Sequence, residues 1–290
     1  MRTQAKPICA LTTTIACAVF AAGAAPAHGE LAPEVITLDA GMHQYRASGQ
    51  YLMDGVPTDA PRLPVDISRP VTIMKYQVSA SEYAQCVRDK ACQPPLKITR
   101  RSGHWPAIGV SFIDAQNYAK WLTSKTGTTW RLPSDIEWSY AAGSRFVDDA
   151  LGAGPDPGNP SRRWLLKYSK HIDQDTGADP TLKQRGAYGA NEHGIYDMSG
   201  NIWEWTTGCY ERIQISQAGK ADAAKTINCG VRIAEGQHRA YIPDFLRDAS
   251  GGGCAVGLPP DYLGFRLVRD SAEPTGNGGF KSWWRWLFSS

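Results

Sequence analysis

The stretch that most constrains this chain is residues 194–205, which read Gly-Ile-Tyr-Asp-Met-Ser-Gly-Asn-Ile-Trp-Glu-Trp. Gly194 and Gly200 allow backbone angles that other residues resist, so the stretch favours a tight turn. Three side chains put carboxylate or amide oxygens around this turn: Asp197, Asn201 and Glu204. Oxygen ligands suit a hard cation such as calcium. The alternative is a buried turn in which the carboxylates accept hydrogen bonds from backbone amides.

The end of this stretch alternates aromatic and acidic side chains. In an extended segment, Trp203 and Trp205 share one face and Glu204 takes the other. The pattern predicts an apolar clamp on one side of the segment and a polar contact on the other.

Length and charge bound the class of protein. The chain has 290 residues, 42% of them hydrophobic, which fits one large domain or two small ones with a substantial core. The net charge of +3 is small and no run of Lys and Arg stands out, so we expect no nucleic-acid partner. Ten Trp and 29 Gly indicate an irregular, loop-rich fold.

The first 27 residues are typical of a secretory signal peptide. Arg2 and Lys6 precede an apolar stretch of small residues, and Ala-Pro-Ala at 25–27 fits the cleavage rule. We therefore expect a mature chain that begins at His28 and is periplasmic or secreted. The alternative is an uncleaved membrane anchor.

Cleavage would leave five cysteines: Cys86, Cys92, Cys209, Cys229 and Cys254. Cys86 and Cys92 are close in sequence and are predicted to close a small loop by a disulfide. The remaining three are an odd number, so one thiol is left over. Cys209–Cys229 and Cys229–Cys254 both stay open as pairings.

Local signals place several elements. Residues 28–70 are a lead-in broken by prolines, and residues 71–78 read as a strand. Two helices start at serine caps with Glu three positions on: Ser79 with Glu82 and Ser134 with Glu137. Another helix is predicted from Val110, with Asp114 in its first turn and a stop at Gly127. Residues 146–187 are predicted to be mainly loop, with Asp173, Asp175 and Asp179 as a solvated acidic cluster.

Four segments in order resemble the formylglycine-generating enzyme (sulfatase-modifying factor) superfamily. They are residues 110–116, 131–142, 194–205 and 264–269. The resemblance runs from about Val71 to Arg269. It implies an α+β fold, an irregular, loop-rich variant of the C-type lectin fold, over residues 28–270, followed by a linker and tail at 271–290.

The resemblance also implies roles for the constraining stretch. The calcium ligands would be the side chains of Asp197 and Glu204 and the backbone carbonyls of Gly200 and Ile202. Trp203 would line the adjoining pocket. Arg131 and Glu137 would form a buried ion pair that holds the fold together.

The copper chemistry of the family is not expected here. In the enzymes that this chain resembles, two cysteines five positions apart bind copper and oxidise a substrate cysteine. Aligning His-Arg-Ala-Tyr at 238–241 puts Gln237 and Ile242 at those positions, and neither is a thiolate ligand. Iron is not expected either, because the six His are scattered and form no HxH or HxxxH pair.

Polar residues replace the family's catalytic cleft. His238 is a candidate general base, Tyr241 a proton donor, and Arg239 or Arg247 a clamp for a carboxylate. The remaining members of this candidate site are Glu235, Gln237, Asp244 and Trp203. The alternative is a satisfied polar network that stabilises a loop.

The tail at the end of the chain is aromatic and basic. Residues 280–290 carry five aromatic side chains and two cations, a composition that suits a membrane surface, a partner or packing on the domain.

Residues 238–254 are most similar to the corresponding segment of signal-bearing family members found beside copper nitrite reductases. We therefore expect an accessory or maturation factor for an exported redox enzyme. The alternatives are an oxidoreductase of the pyoverdine-tailoring type and a non-catalytic, lectin-like binding module.

Overall fold

We describe the protein from a computed structural model. The structure describes residues 32–96, 103–152, 154, 156, 158–159, 161–175, 181–215, 221–250 and 260–270. The expected signal peptide, Cys254 and the aromatic tail lie outside these residues, so what was expected of them stays a prediction. Within the described ranges, no helix has the length and apolar character that a membrane crossing requires.

The architecture is α+β, as predicted. In chain order the elements are β1 (Val35–Leu38), β2 (Gly41–Arg46), β3 (Gln50–Met53), β4 (Val56–Thr58), β5 (Arg62–Ile67), β6 (Val71–Met74), α1 (Ala80–Arg88), α2 (Phe112–Thr126), β7 (Trp130–Arg131), α3 (Asp135–Ala142), α4 (Ser161–Asp175), β8 (Trp203–Ile215), β9 (Ala221–Glu235), β10 (Ala240–Pro243), β11 (Leu263–Gly264) and β12 (Val268–Arg269).

Three sheets organise these strands. One runs β1-β6-β12-β7, and a second runs β10-β9-β8-β3-β4 with β11 added to β8. β2 and β5 form a two-stranded sheet of their own. The long β8–β9 hairpin connects the constraining stretch, which ends in β8, to the polar segment after β9.

The proline-broken lead-in contains five strands, which the sequence did not predict. Pro57 lies in β4, an edge strand, and Pro64 lies in β5 of the two-stranded sheet. Proline lacks an N–H and is tolerated at such edges. β1 pairs with β6, and β3 pairs with β8 far along the chain, a partnership that local sequence does not encode.

The two predicted serine caps are confirmed, and the helix predicted from Val110 begins at Phe112. Complete capping boxes open α1, α2 and α3, with Ser79, Ser111 and Ser134 as the caps. α2 ends at Gly127, whose φ of 69° is left-handed. The prediction of loop over 146–187 is wrong in part, because α4 occupies 161–175 and includes the positions of Asp173 and Asp175.

The largest core lies between α2 and the second sheet. Trp203 and Trp205 both pack into it, while Glu204 points the other way. The alternation predicted from the sequence is therefore confirmed. Arg131 and Glu137 do pair, with both guanidinium-to-carboxylate contacts at 2.7 Å, but Arg131 is 40% exposed, so the pair is only half-buried.

Two disulfides join four of the cysteines. Cys86–Cys92 forms as predicted and closes the loop after α1. Of the two alternatives that stayed open, the structure has Cys209–Cys229, which links β8 to β9.

Candidate functional site

The turn between β9 and β10 carries most of the predicted site. A side chain at Gly236 would put its Cβ 2.8 Å from the Trp203 ring, so glycine lets the turn lie directly on that indole. The Trp203 Nε1–H donates to the carbonyl of His238 at 2.9 Å, and the two rings meet edge to face at 5.1 Å. Trp203 thus fixes the position of His238.

β10 divides its side chains between two environments. Ala240 and Ile242 are buried in the large core, whereas Tyr241 lines a cavity of about 290 Å³. The cavity lies between the β3–β4 hairpin, α4 and the β9–β10 turn. Its polar and aromatic lining comprises Gln50, Tyr51, Thr58, Asp59, Asp149, Arg163, Trp164, Lys167, Tyr210, His238, Arg239 and Tyr241.

Glu235 and Arg239 form a buried ion pair at this cavity. Arg239 Nε donates to Glu235 at 2.7 Å, and its Nη atoms donate to the carbonyls of Arg46 and Ala47 at 3.2–3.3 Å. Burial raises the pKa of Glu235 to about 7, against the opposing effect of Arg239. The guanidinium is therefore committed to internal acceptors, which is the polar-network alternative rather than a carboxylate clamp.

Tyr241 is held in the same way. Its hydroxyl oxygen accepts the N–H of Gly49 at 2.6 Å, and its ring meets Tyr210 edge to face at 5.2 Å. Burial raises the pKa of Tyr241, so the phenol stays protonated at neutral pH. The hydroxyl hydrogen remains a donor.

His238 is half-buried on the cavity wall. Its Nδ1 lies 3.1 Å from the carbonyl oxygen of Arg239. A carbonyl only accepts, so this contact calls for the Nδ1–H tautomer and makes Nε2 the acceptor nitrogen of the neutral ring. Of the predicted catalytic residues, His238 has the geometry closest to that of a general base.

Much of the cavity comes from residues that sequence reasoning missed. Arg163 of α4 pairs with Asp59 at 2.6 Å. Burial raises the pKa of Asp59, but Arg163 and the N–H groups of Leu151 and Gly152 outweigh burial and lower it. The available signal was helical spacing, because Arg163 and Lys167 recur four positions apart.

An exposed aromatic pair marks the outer side of α4. The rings of Trp164 and Tyr168 stack in parallel at 5.5 Å, and Trp164 is 64% exposed. These residues are also four apart, as neighbours on a helix surface are. Trp164 lines the cavity, so a ligand entering there would meet this indole.

Five of the eight predicted site residues do not line the cavity: Trp203, Glu235, Gln237, Asp244 and Arg247. Arg247 pairs with Asp114 near the start of α2, through two contacts of 2.7 Å. The N–H of Asp244 donates to the carbonyl of Gly230 at 3.0 Å. The chain turns away after β10, which separates both residues from His238. Gln237 stays on the turn and is half-buried.

The residues predicted to bind calcium are occupied by hydrogen-bond donors. Glu204 accepts from Arg266 at 2.6 and 2.8 Å, from Trp138 at 2.8 Å and from Gln77 at 2.8 Å. Such a carboxylate, facing an arginine, an indole N–H and an amide N–H, does not fit a cation.

Two of the other three predicted ligands, Asp197 and the carbonyl of Gly200, also accept protein hydrogen bonds. Asp197 accepts from the N–H groups of Gly186 and Tyr188, and burial raises its pKa. The carbonyl of Gly200 accepts from Ile202 at 2.8 Å. Across the described residues, no three His, Cys, Asp or Glu side chains come together as metal ligands would. Calcium stays a prediction from resemblance, and these contacts do not favour it at this place.

Comparisons with known proteins agree on one family. The model of the sulfatase-modifying factor enzyme 1-like domain matches residues 21–271. The formylglycine-generating enzyme of Mycobacterium tuberculosis is 28% identical over 190 residues, 60% of this chain and 60% of that protein. The inactive C-alpha-formylglycine-generating enzyme 2 of Bos taurus is 28% identical over 181 residues, 61% of this chain and 54% of that protein. The chain thus spans at most three fifths of these relatives.

Among solved structures, PvdO from Pseudomonas aeruginosa has the same fold. The TM-score is 0.52 at 22% identity, with 84% of this chain and 97% of that chain covered.

Proposed function

The chain belongs to the sulfatase-modifying factor enzyme 1-like family, and from this premise we propose that it is an accessory protein acting outside the cytoplasm. It binds a segment of an exported protein, a redox enzyme that it helps to mature, and it does not carry out copper-dependent oxidation. The first 27 residues support export, since they are typical of a cleaved signal peptide.

One observation carries this proposal. Ile242 occupies the position of a copper-binding cysteine of the enzymes that the chain resembles. It is fully buried in the core, on the face of β10 opposite to Tyr241 and the cavity. The four cysteines within the described ranges are all in disulfides. Copper(I) prefers thiolate or thioether sulfur, which this face of β10 does not offer.

The cavity supports a binding role. Tyrosine and tryptophan rings give large contact area with little loss of conformational freedom, and three tyrosines and Trp164 line this wall. Arg239 and Glu235 pair with each other, so they make the cavity wall rigid and do not contact a ligand. The paired Asp59 and Arg163 add polar contacts at the rim.

The experiment is a deletion of the gene in its host, followed by assay of the exported redox enzymes. We expect one of them to lose activity and bound cofactor while its amount stays constant. Wild-type protein should restore it, and the double variant Trp164→Ala, His238→Ala should not. Leu96→Ala, at an exposed apolar residue away from the cavity lining, is the control. Unchanged exported enzymes in the deletion strain would contradict the proposal.

A small-molecule oxidoreductase is the second candidate function. A cavity of about 290 Å³ is at the small end of ligand pockets and suits a compact molecule. The acceptor Nε2 of His238 and the hydroxyl of Tyr241 would then act on it. Turnover that His238→Ala abolishes without changing the unfolding midpoint would favour this candidate over the accessory role. A lectin-like binding module would bind a ligand, but its deletion would leave the exported enzymes active and it would show no turnover that depends on His238.

A further inference from the structure

The two disulfides differ in their surroundings. Cys86 and Cys92 are buried, at 0% and 6% exposure, in the core beside α1. Cys229 is exposed on β9, and its disulfide partner Cys209 on β8 is half-buried. Cys229 is therefore the cysteine of the two disulfides that is most open to solvent, whereas the first disulfide is enclosed in the core.

A cation lies against the less accessible sulfur. Arg232 is the cross-strand neighbour of Cys209, and its Nη1 lies 3.2 Å from the Cys209 sulfur. The same guanidinium sits 4.3 Å over the ring of Phe112, which holds it in place. A positive charge next to a released sulfur favours the thiolate, and a stabilised thiolate is a better leaving group.

Arg232 also has a spare donor. Among the described residues its Nε is buried without a hydrogen-bond partner, although Nη1 donates to the carbonyl of Thr207 at 2.9 Å. Buried polar groups are almost always paired, so an exception calls for an explanation. A thiolate at Cys209 would accept from the neighbouring Nη1 more strongly than the disulfide sulfur does.

The exposed sulfur lies beside an open sheet edge. β10 pairs with β9 up to Val231 and Asp244 bonds the Gly230 carbonyl, so among the described strands none covers residues 225–229 on that side. Two exposed apolar side chains flank Cys229. Ile227, two positions away on the strand, is 54% exposed, and Phe245, next to the residue bonded to Gly230, is 65% exposed. An extended polypeptide can add to such an edge through its backbone.

We propose that Cys209–Cys229 is a redox-active disulfide that oxidises a pair of cysteine thiols in an extended polypeptide docked along β9. A thiolate of the partner attacks the Cys229 sulfur, the bond between Cys229 and Cys209 breaks, and Cys209 leaves as a thiolate beside Arg232. The second partner thiolate then attacks its own chain's sulfur and releases Cys229. Two electrons pass from the partner thiols to this disulfide, and the two protons they lose can protonate the new thiolates. Arg232 is a positioning residue.

The test follows each disulfide separately in the exported protein. The background is Cys254→Ser, so that only the two disulfides contribute. Protein is mixed with reduced glutathione, quenched with an alkylating agent and mapped by mass spectrometry. We expect Cys209–Cys229 to react at least about tenfold faster than Cys86–Cys92, and the trapped glutathione to be on Cys229.

Variants separate charge from structure. Arg232→Met should slow the reaction about threefold to tenfold, Arg232→Lys should restore most of the rate, and Arg212→Met, at an exposed arginine of β8, should have no effect. Phe245→Asp should slow oxidation of a synthetic two-cysteine peptide with apolar flanks and leave the glutathione rate unchanged.

Equal rates for the two disulfides, or glutathione trapped on Cys209, would overturn the proposal. So would an Arg232→Lys variant as slow as Arg232→Met when both unfold at the wild-type midpoint. The inference goes beyond the proposed accessory role and does not rest on it, because none of these residues lines the cavity beneath α4.

Discussion

Glu204 and Arg266 form a two-pronged ion pair in the middle of the protein. The Nε and Nη2 atoms of Arg266 lie 2.6 and 2.8 Å from the two carboxylate oxygens, and neither side chain is more than 1% exposed. Arg266 also donates to the backbone carbonyls of Met74 and Tyr196, so the pair joins β6, the constraining stretch and β8. This carboxylate therefore stabilises the fold through protein donors.

Removing the charge of Glu204 tests that role. We expect Glu204→Gln to lower the free energy of unfolding by about 3–5 kcal/mol, because it leaves Arg266 buried without its partner. The measurement is urea unfolding, on calcium-loaded and on chelator-treated protein. Glu34→Gln, which breaks the exposed pair with Lys75, should cost at most about 1 kcal/mol. A loss seen only with calcium present would restore the calcium ligand role.

The pH dependence of stability tests the environment of Glu235. Burial raises its pKa from an ordinary 4.5 to about 7 despite Arg239. The folded protein thus holds a proton that the unfolded chain releases between these values. Its contribution to the free energy of unfolding is fully present below about pH 4.5 and is lost as the pH rises through about 7. We expect Glu235→Gln to remove this loss in unfolding curves measured across that range.

Glu137 provides a control of opposite sign. Burial raises its pKa, but Arg131 outweighs burial and lowers it. Its contribution is present at neutral pH and is lost on acidification, so Glu137→Gln should alter only the acid side of the profile. An unchanged profile for Glu235→Gln between pH 4.5 and 7 would contradict the assignment.

Gly236→Ala tests how the β9–β10 turn packs on Trp203. The added Cβ would come within 2.8 Å of the Trp203 ring, so the indole or the turn has to move. We expect a loss of about 1–3 kcal/mol in the free energy of unfolding and a shifted tryptophan emission spectrum. Gly158→Ala, whose Cβ would meet no atom of the described residues closer than Asp156 at 3.5 Å, should behave like the wild type. If both variants match the wild type, the turn does not rest on Trp203 as described.

Trp164→Ala tests the outer wall of the cavity. The side chain is 64% exposed, so its loss should change the free energy of unfolding by no more than about 0.5 kcal/mol. We nonetheless expect weaker restoration of the exported enzyme in the deletion strain, because this indole lines the cavity. Full restoration by Trp164→Ala would indicate that α4 is not part of the binding surface.

Features set by neighbouring residues could be predicted from the sequence. The capping boxes at Ser79 and Ser134 were predicted and formed, and a third, of Ser111 with Asp114, opens the helix that was predicted from Val110. The alternation of Trp203 and Trp205 about Glu204 likewise follows from strand geometry. Cys86 and Cys92 are only six residues apart, so their pairing was also local.

Features that join distant segments could not be predicted in this way. Arg266 and Glu204 are 62 residues apart, and the sequence around each residue gives no indication that the two pair. The cavity brings residues near 50, 60, 150, 165 and 240 together, so only the folded sheet places them side by side. α4 was overlooked because a glycine- and proline-rich segment precedes it, although Trp164 and Tyr168 had helical spacing. Asp244 and Arg247 looked like pocket residues only because they follow His238 in sequence.

The most direct test of the accessory role without copper chemistry is an anaerobic copper(I) titration of the exported protein against a competing chelator. We predict no stoichiometric copper binding, and the same result for Cys254→Ser, because Gln237 and Ile242 supply no thiolate. One tightly bound copper per chain, lost in Cys254→Ser, would contradict the account. It would return the protein to the oxidase branch of its family.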